Sequence, residues 1–216
     1  GSFDFMINHI NKYGNIYGQS FYNYPYNTGT KINYDIDFLW STQGDLNSDG
    51  EVNGEGMEDA IDIHEIKQIP NGNYMAFVPK YGLGPIPQGS WSFLFQINGY
   101  QADGITEEFP WIGMRIVEWD EDGNEVWNWD PFEHFTMEDT DLYGGTWWGS
   151  FDTGAHDWMH SNAFHFDGEE NVIYVSHRHL SRISKIAYPS GDVIWNIGMP
   201  EEYGTGSDNI CMDLGN

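Results

Sequence analysis

The sequence predicts an all-β fold built from repeated, blade-like sheets. Aromatic and β-branched residues alternate with polar residues in short stretches that end at Gly, Asn or Pro turn signals, a pattern typical of half-buried strands. The clearest stretches are NGNYMAF (71–77), RIVEWDEDGNEVWNW (115–129), NVIYVS (171–176) and RISKIAYPSGDVIWNI (182–197). No segment shows a convincing amphipathic helical pattern, and two segments repeat one plan.

The repeat consists of a His, a turn Gly, a strand, and then a hairpin whose second arm carries a Trp. Its two copies contain His64, Gly72, Gly123 and Trp127, and His160, Gly168, Gly191 and Trp195. The first copy is longer by a Gly, Pro and aromatic stretch at 81–110, which predicts an elaborated loop. Repeats of short strands with aromatic hairpins are typical of propeller blades, which pack face to face around a central channel.

A third, partial copy at the start gives the domain organisation. MINHINKYGNIYGQSF (6–21) resembles the hairpin at 115–130, with Gly14 in the turn. We therefore predict that residues 1–216 form one partial β-propeller domain with about two full blades and a partial one. Its predicted parts are the tail of a preceding blade (1–25), a calcium-loop-like insertion (40–60), a blade with the inserted loop (61–135), a second blade (150–198) and a lead into the next blade (199–216).

Charge and composition exclude several partners. Eight Lys plus Arg oppose 34 Asp plus Glu, a net charge of −26, which disfavours nucleic acid and anionic membranes. No apolar run is long enough to insert into a membrane. Cys211 is the single cysteine, so an intrachain disulfide is impossible.

Polar residues at the start of the last full repeat are the main candidates for chemistry. Strand alternation places His160 and Asn162 on one face, together with Phe164. In the next strand it groups Arg178 with Tyr174 and Ser176. Arg178 is one of three arginines in an acidic chain, and its planar fork suits an anion. A surface arginine paired with a carboxylate is the alternative.

His64 occupies the same repeat position as His160, so we expect both to point into one channel. The alternative is a structural hydrogen bond at a polar blade edge. A metal site is a further interpretation, because HDWMH places His156 and His160 four apart and His177 and His179 flank Arg178. The four-residue spacing suits zinc only on a helix, and an arginine within the cluster disfavours a cation.

A separate calcium site is predicted in GDLNSDGEVN. Asp45, Asn47 and Asp49 stand at loop positions 1, 3 and 5, Gly50 provides the turn, and Glu51 offers its carbonyl. The loop resembles a dockerin or EF-hand loop, except that Gly56 replaces the closing acid. The closing carboxylate would come from Glu55, Glu58 or Asp59, and a plain Asx-rich turn is the alternative.

One family resemblance covers most of 62–216. DWMHSNAFHFDGEENVIYVSHRHLSRISKIAYPSGDVIWNIG (157–198) resembles the bacterial arylsulfotransferases, six-bladed propellers that move a sulfuryl group between phenols without a nucleotide donor. The resemblance implies that His160, Asn162 and Arg178 surround the transferred sulfate, with His64 contributed by the earlier blade. His64 or His160 would transfer protons to and from the phenols.

The resemblance also implies a ping-pong reaction through a sulfohistidine. No residue of the chain matches the family's nucleophilic histidine, which we expect beyond Asn216, so we do not expect the 216 residues alone to be active. Trp148 and Trp158, with Trp147 nearby, are candidates to line an aryl pocket, and blade packing is the alternative for each.

The expected substrates are an aryl sulfate and a phenol, in the periplasm or outside the cell. A second copy or a companion chain is expected to complete the ring. The competing hypothesis is a non-catalytic, calcium-bearing propeller that binds carbohydrate or another surface ligand, because a fold alone does not determine function.

Overall fold

The structure is a computed structural model, and it describes residues 5–20, 28–42, 61–62, 64–136, 139–140, 147–198 and 209–210. Strands dominate the described residues, and three antiparallel sheets follow one another along the chain. Each contains a four-stranded up-and-down meander, the architecture of a propeller blade. The predicted all-β, partial-propeller fold class is confirmed.

The N-terminal sheet is formed by β1 (Phe5–Ile10), β2 (Ile16–Ser20), β3 (Thr28–Ile32) and β4 (Phe38–Ser41), in that spatial order. The β1–β2 turn is closed by Asn11, whose side chain accepts hydrogen bonds from the amides of Tyr13 and Asn15. The sequence predicted this hairpin as the tail of a blade. In the structure two further strands continue its sheet, and the predicted boundary at residue 25 lies outside the described residues.

The middle sheet contains β5 (Ile66–Gln68), β6 (Tyr74–Pro85), β7 (Glu107–Trp119) and β8 (Glu125–Trp129). The insertion expected as a loop lengthens β6 and β7 into one long hairpin, whose tip carries the short helix α1 (Ser92–Ile97). Phe95 of α1 is fully buried. The insertion is therefore a packed part of the sheet, and α1 is too short to show a helical period in the sequence.

The C-terminal sheet contains β10 (Ser161–Asp167), β11 (Val172–His177), β12 (Arg182–Ala187) and β13 (Val193–Gly198). A two-residue strand, β14 (Asn209–Ile210), pairs in parallel with β13. Before this sheet come a second short helix, α2 (Trp147–Thr153), and β9 (His156–Asp157), which pairs in parallel with β7 of the middle sheet. The chain thus enters the C-terminal sheet from the edge of its neighbour.

Two apolar cores hold the three sheets together. The larger core lies between the middle and C-terminal sheets, where Phe77 and Phe164 meet edge to face at 5.4 Å between ring centroids. The smaller core joins the N-terminal and middle sheets and includes Tyr17, Trp40 and Trp119. Each fully buried large apolar side chain contributes about 1.5–3 kcal/mol, so the sheet faces, as in a propeller, supply most of the stability.

None of the helices in the described part of the chain has the length and apolar character needed to cross a membrane.

Candidate functional site

The candidate site lies where the chain enters the first strands of the middle and C-terminal sheets. His160 stands just before β10 and adopts a left-handed backbone with a φ of +46°. Two backbone hydrogen bonds continue the β10–β11 pairing past the strand ends, from the Arg178 amide to the His160 carbonyl at 3.1 Å and from the His179 amide to the Met159 carbonyl at 3.1 Å. These bonds bring the residues after β11 beside His160.

Asp157 is the centre of this cluster. Its carboxylate accepts a hydrogen bond from Nδ1 of His160, and its backbone carbonyl accepts one from Nδ1 of His179 at 2.7 Å. The ring centroids of His160 and His179 are 4.8 Å apart. Because Nδ1 of each ring donates to an oxygen, each neutral imidazole keeps its lone pair on Nε2.

A second Asp–His pair precedes the middle sheet. Nδ1 of His64 contacts the Asp62 carboxylate at 2.5 Å, and the His64 amide donates to the same oxygen at 2.9 Å. The rings of His64 and His160 meet edge to face, with 5.1 Å between centroids and 73° between planes. The structure therefore brings together the two histidines that the repeat had aligned.

An ionic clamp holds the two entry segments against each other. Glu65 accepts a hydrogen bond from the Phe164 amide at 2.6 Å, and Lys67 donates to the Phe164 carbonyl at 2.7 Å. Lys67 and Glu65 also pair with each other at 2.5 Å. This fixes the strand that follows His64 to the strand that follows His160.

The predicted face assignment around Asn162 is wrong. Asn162 is the extra residue of a β-bulge, because Ser161 pairs with His177 and Ala163 pairs with Ser176. Phe164, expected on the face of His160, is 4% exposed and lies in the core. The bulge and the left-handed turn at His160 together break the two-residue period, and they leave Asn162 half-buried beside the site.

The predicted assignment of β11 side chains to the two faces of the sheet is correct as far as His177. Val175 and His177 are buried, whereas Tyr174 and Ser176 are partly exposed. The strand then ends, and a single 3₁₀ turn, Arg178–Leu180, follows. Arg178 is exposed, and no carboxylate of the described residues pairs with it, so the ion pair of the alternative interpretation is not seen there.

The other two histidines of the region belong to the core. His156 stacks on Trp147 with 3.9 Å between centroids, and its Nδ1 shares a 2.9 Å hydrogen bond with Ser150. Nδ1 of His177 shares a 2.8 Å hydrogen bond with Ser161. Burial lowers the pKa of each imidazole to about 3, so both are neutral. The HDWMH spacing therefore does not place His156 with His160.

Of the two tryptophans predicted to line an aryl pocket, one is buried in the core and the other is exposed. Trp158 is 1% exposed and packs against Trp111 and Phe132, as the blade-packing alternative expected. Trp158 is thus inaccessible to a substrate in this structure. Trp148 is 47% exposed and faces Phe93 with 6.3 Å between ring centroids.

Sequence reasoning missed four residues that organise the site: Asp62, Asp157, Glu65 and Lys67. A signal for the first two was present, because an Asp precedes the repeat histidine by two residues in DIH and by three in DWMH. The calcium-loop residues Asp45, Asn47, Asp49, Glu51 and Asp59 lie outside the described residues.

Two Asp–His pairs at the entries of neighbouring blade-like sheets place the candidate site in a propeller-type fold. A model of the arylsulfotransferase (ASST) family matches residues 15–214, and the chain belongs to this family. The resemblance found in the sequence is thereby confirmed.

No curated protein matches the chain. A crystal structure of a protein of unknown function from Bacteroides caccae matches with a TM-score of 0.41 and 10% sequence identity. The match covers 92% of this chain but 47% of that one, so the chain spans about half the length of that solved structure.

Proposed function

We propose that the protein transfers a sulfuryl group from an aryl sulfate to a phenolic acceptor, without a nucleotide donor. The observation that carries this proposal is the meeting of two Asp–His pairs, Asp62–His64 and Asp157–His160, contributed by neighbouring sheets. Each carboxylate fixes its imidazole in one tautomer and leaves Nε2 available to a ligand. Two such groups suit a reaction that moves a proton off one phenol and onto another.

The anionic sulfuryl group would be held by donors beside these pairs. Arg178 offers five N–H groups in a fork that matches two sulfuryl oxygens at once. Among the described residues, neither the Arg178 guanidinium nor the Asn162 amide has a side-chain hydrogen bond, so both are available to a ligand. Donors fixed at the oxygens where negative charge grows lower the barrier.

The reaction would proceed in two displacements. A histidine nitrogen attacks sulfur, the bond from sulfur to the aryl oxygen breaks, and the phenolate leaves with the electron pair and takes a proton from Nε2 of the imidazolium form of His64 or His160. The acceptor phenol then loses a proton to the same histidine, its oxygen attacks sulfur, and the sulfur–nitrogen bond breaks. The nucleophilic histidine, as predicted from the family, would lie in sequence that follows Asn216.

The test is turnover of 4-nitrophenyl sulfate with phenol as acceptor. It compares the 216-residue chain with the protein that includes the sequence following Asn216, each as wild type, His160→Ala and His165→Ala. His165 is exposed on β10, where its ring stacks near Tyr174, so it is the matched control. We expect activity in the longer protein and its His165 variant, and about a 1,000-fold loss in its His160 variant.

Absence of turnover in every folded form would overturn this proposal. The non-catalytic, ligand-binding propeller would then be the better hypothesis. A structural calcium ion at 45–59 and a periplasmic or extracellular location stay predictions.

A further inference from the structure

The histidine cluster also contains a set of metal-ligating atoms. Asp157, His160 and His179 each offer one ligand atom, and these atoms all lie within 4.8 Å of one another. We propose that these three residues bind a divalent transition metal of the zinc class. We further propose that the bound metal inhibits sulfuryl transfer, and this second part rests on the proposed function.

The first step concerns which atoms converge. Nδ1 of His160 contacts Oδ2 of Asp157, and Nδ1 of His179 lies 3.9 Å from the same oxygen. A ligating nitrogen must be deprotonated, so a bound ion would replace the hydrogen atom that each Nδ1 now donates to Asp157. The two Nδ1 atoms and the Asp157 carboxylate therefore form the ligand set.

The second step concerns distance. Zinc–nitrogen bonds of about 2.1 Å at tetrahedral angles place the centroids of two ligating imidazoles about 5 Å apart. The centroids of His160 and His179 are 4.8 Å apart. Oδ1 of Asp157 is buried and accepts no hydrogen bond from the described residues, so it retains lone pairs for a cation. Water, or His64 at 5.1 Å from His160, would complete the coordination.

The third step concerns the choice of metal. Two imidazoles and one carboxylate favour zinc and its neighbours in the periodic table over calcium or magnesium, which prefer oxygen ligands. The side chains of His160 and Asp157 are 22% and 33% exposed, so an ion can enter from solvent. The net charge of −26 also attracts cations to the protein.

Inhibition follows from shared atoms. A metal on Nδ1 of His160 leaves the ring hydrogen on Nε2, so Nε2 has no lone pair to accept the proton that the proposed reaction moves. His179 is assigned no part in that reaction, so its removal separates metal binding from turnover. His179→Gln keeps an N–H donor for the Asp157 carbonyl, and it is therefore the appropriate variant.

The test is a Co²⁺ titration of the tag-free, metal-stripped protein, followed by its visible absorption bands. We expect binding of one equivalent in the wild type and in the control His165→Gln, and at least a tenfold weaker affinity in His179→Gln. In the protein that includes the sequence following Asn216, Zn²⁺ should then inhibit turnover of 4-nitrophenyl sulfate in the wild type and in the control. The His179 variant should retain turnover and resist Zn²⁺.

Equal Co²⁺ affinity in the two variants, or no binding in the wild type, would overturn the metal site even if turnover is present. His179-dependent Co²⁺ binding in a protein without turnover would uphold the metal site and overturn the sulfuryl-transfer proposal together with its inhibition by metal.

Discussion

The two Asp–His pairs meet in one site but are built by different local backbones. Before the middle sheet, the Asp62 carboxylate accepts from both the amide and the ring of His64, and the Asp62 side chain is 9% exposed. Before the C-terminal sheet, His160 reaches Asp157 through a left-handed backbone, and the Asp157 side chain is 33% exposed. The repeat therefore conserves the position of the pair at the sheet entry, while different hydrogen bonds fix it.

The second strands of the two sheets differ more than the Asp–His pairs do. β11 ends at His177 and turns, which brings Arg178 and His179 to the site. The corresponding strand of the middle sheet, β6, continues to Pro85 into the inserted hairpin. Both sheets thus supply an imidazole, but the guanidinium comes from the C-terminal sheet.

The largest effect is expected from that guanidinium. In the protein that includes the sequence following Asn216, Arg178→Ala and Arg178→Lys should each lower kcat/KM for sulfuryl transfer by about 1,000-fold, because a lysine cannot reproduce the two-pronged contact. Arg115→Lys is the matched control, since Arg115 of the middle sheet pairs with Glu125 at 2.7 Å. Equal kinetics of the Arg178 and Arg115 variants would remove Arg178 from the site.

The next largest effect is expected from the two carboxylates of the Asp–His pairs. Asp62→Asn and Asp157→Asn should each reduce kcat by about 100-fold, because an amide favours the wrong tautomer of the partner histidine. KM should change little, since neither carboxylate contacts the substrate in the proposed reaction. A rise in KM with kcat unchanged would show that the pairs bind substrate and do not move protons.

Core histidines and site histidines should differ in the pH dependence of stability. His177 is neutral in the folded protein and ionises near its ordinary pKa of 6.5 when unfolded, so the unfolded state gains protons first as pH falls. Stability is therefore fully present above about pH 6.5 and is lost progressively toward about pH 3.

Between pH 7 and pH 5 this ionisation should cost about 2 kcal/mol, and His177→Gln should remove that cost. Urea unfolding of both proteins at the two pH values measures the difference. If both lose the same free energy of unfolding, His177 is not held neutral by burial.

The smallest effect is expected at the clamp between the sheets. Lys67→Met removes the hydrogen bond to the Phe164 carbonyl but keeps the apolar stem of the side chain. We expect a loss of about 1 kcal/mol in the free energy of unfolding and a change of only a few-fold in turnover. A loss of activity as large as that of Arg178→Ala would give the clamp a direct part in the reaction.

The sequence predicted the sheets and the alignment of His64 with His160, because strand alternation and repeats are visible in the order of residue types along the chain. It did not predict the bulge at Asn162 or the left-handed turn at His160, since both depend on backbone hydrogen bonds with no signature in residue type. It also placed residues 81–110, and Gly84 with them, in an elaborated loop. In the structure Gly84 lies within β6, where a Cβ atom would stand 2.6 Å from the Trp111 ring, so close packing requires this glycine.

The most direct measurement is a double-mutant cycle on kcat/KM with His64→Ala, His160→Ala and the double variant. If histidines from two sheets act as one site, kcat/KM of the double variant should be only slightly lower than that of the less active single variant. If the two losses instead multiply, His64 and His160 act independently, and the claim that neighbouring sheets build one catalytic centre is wrong.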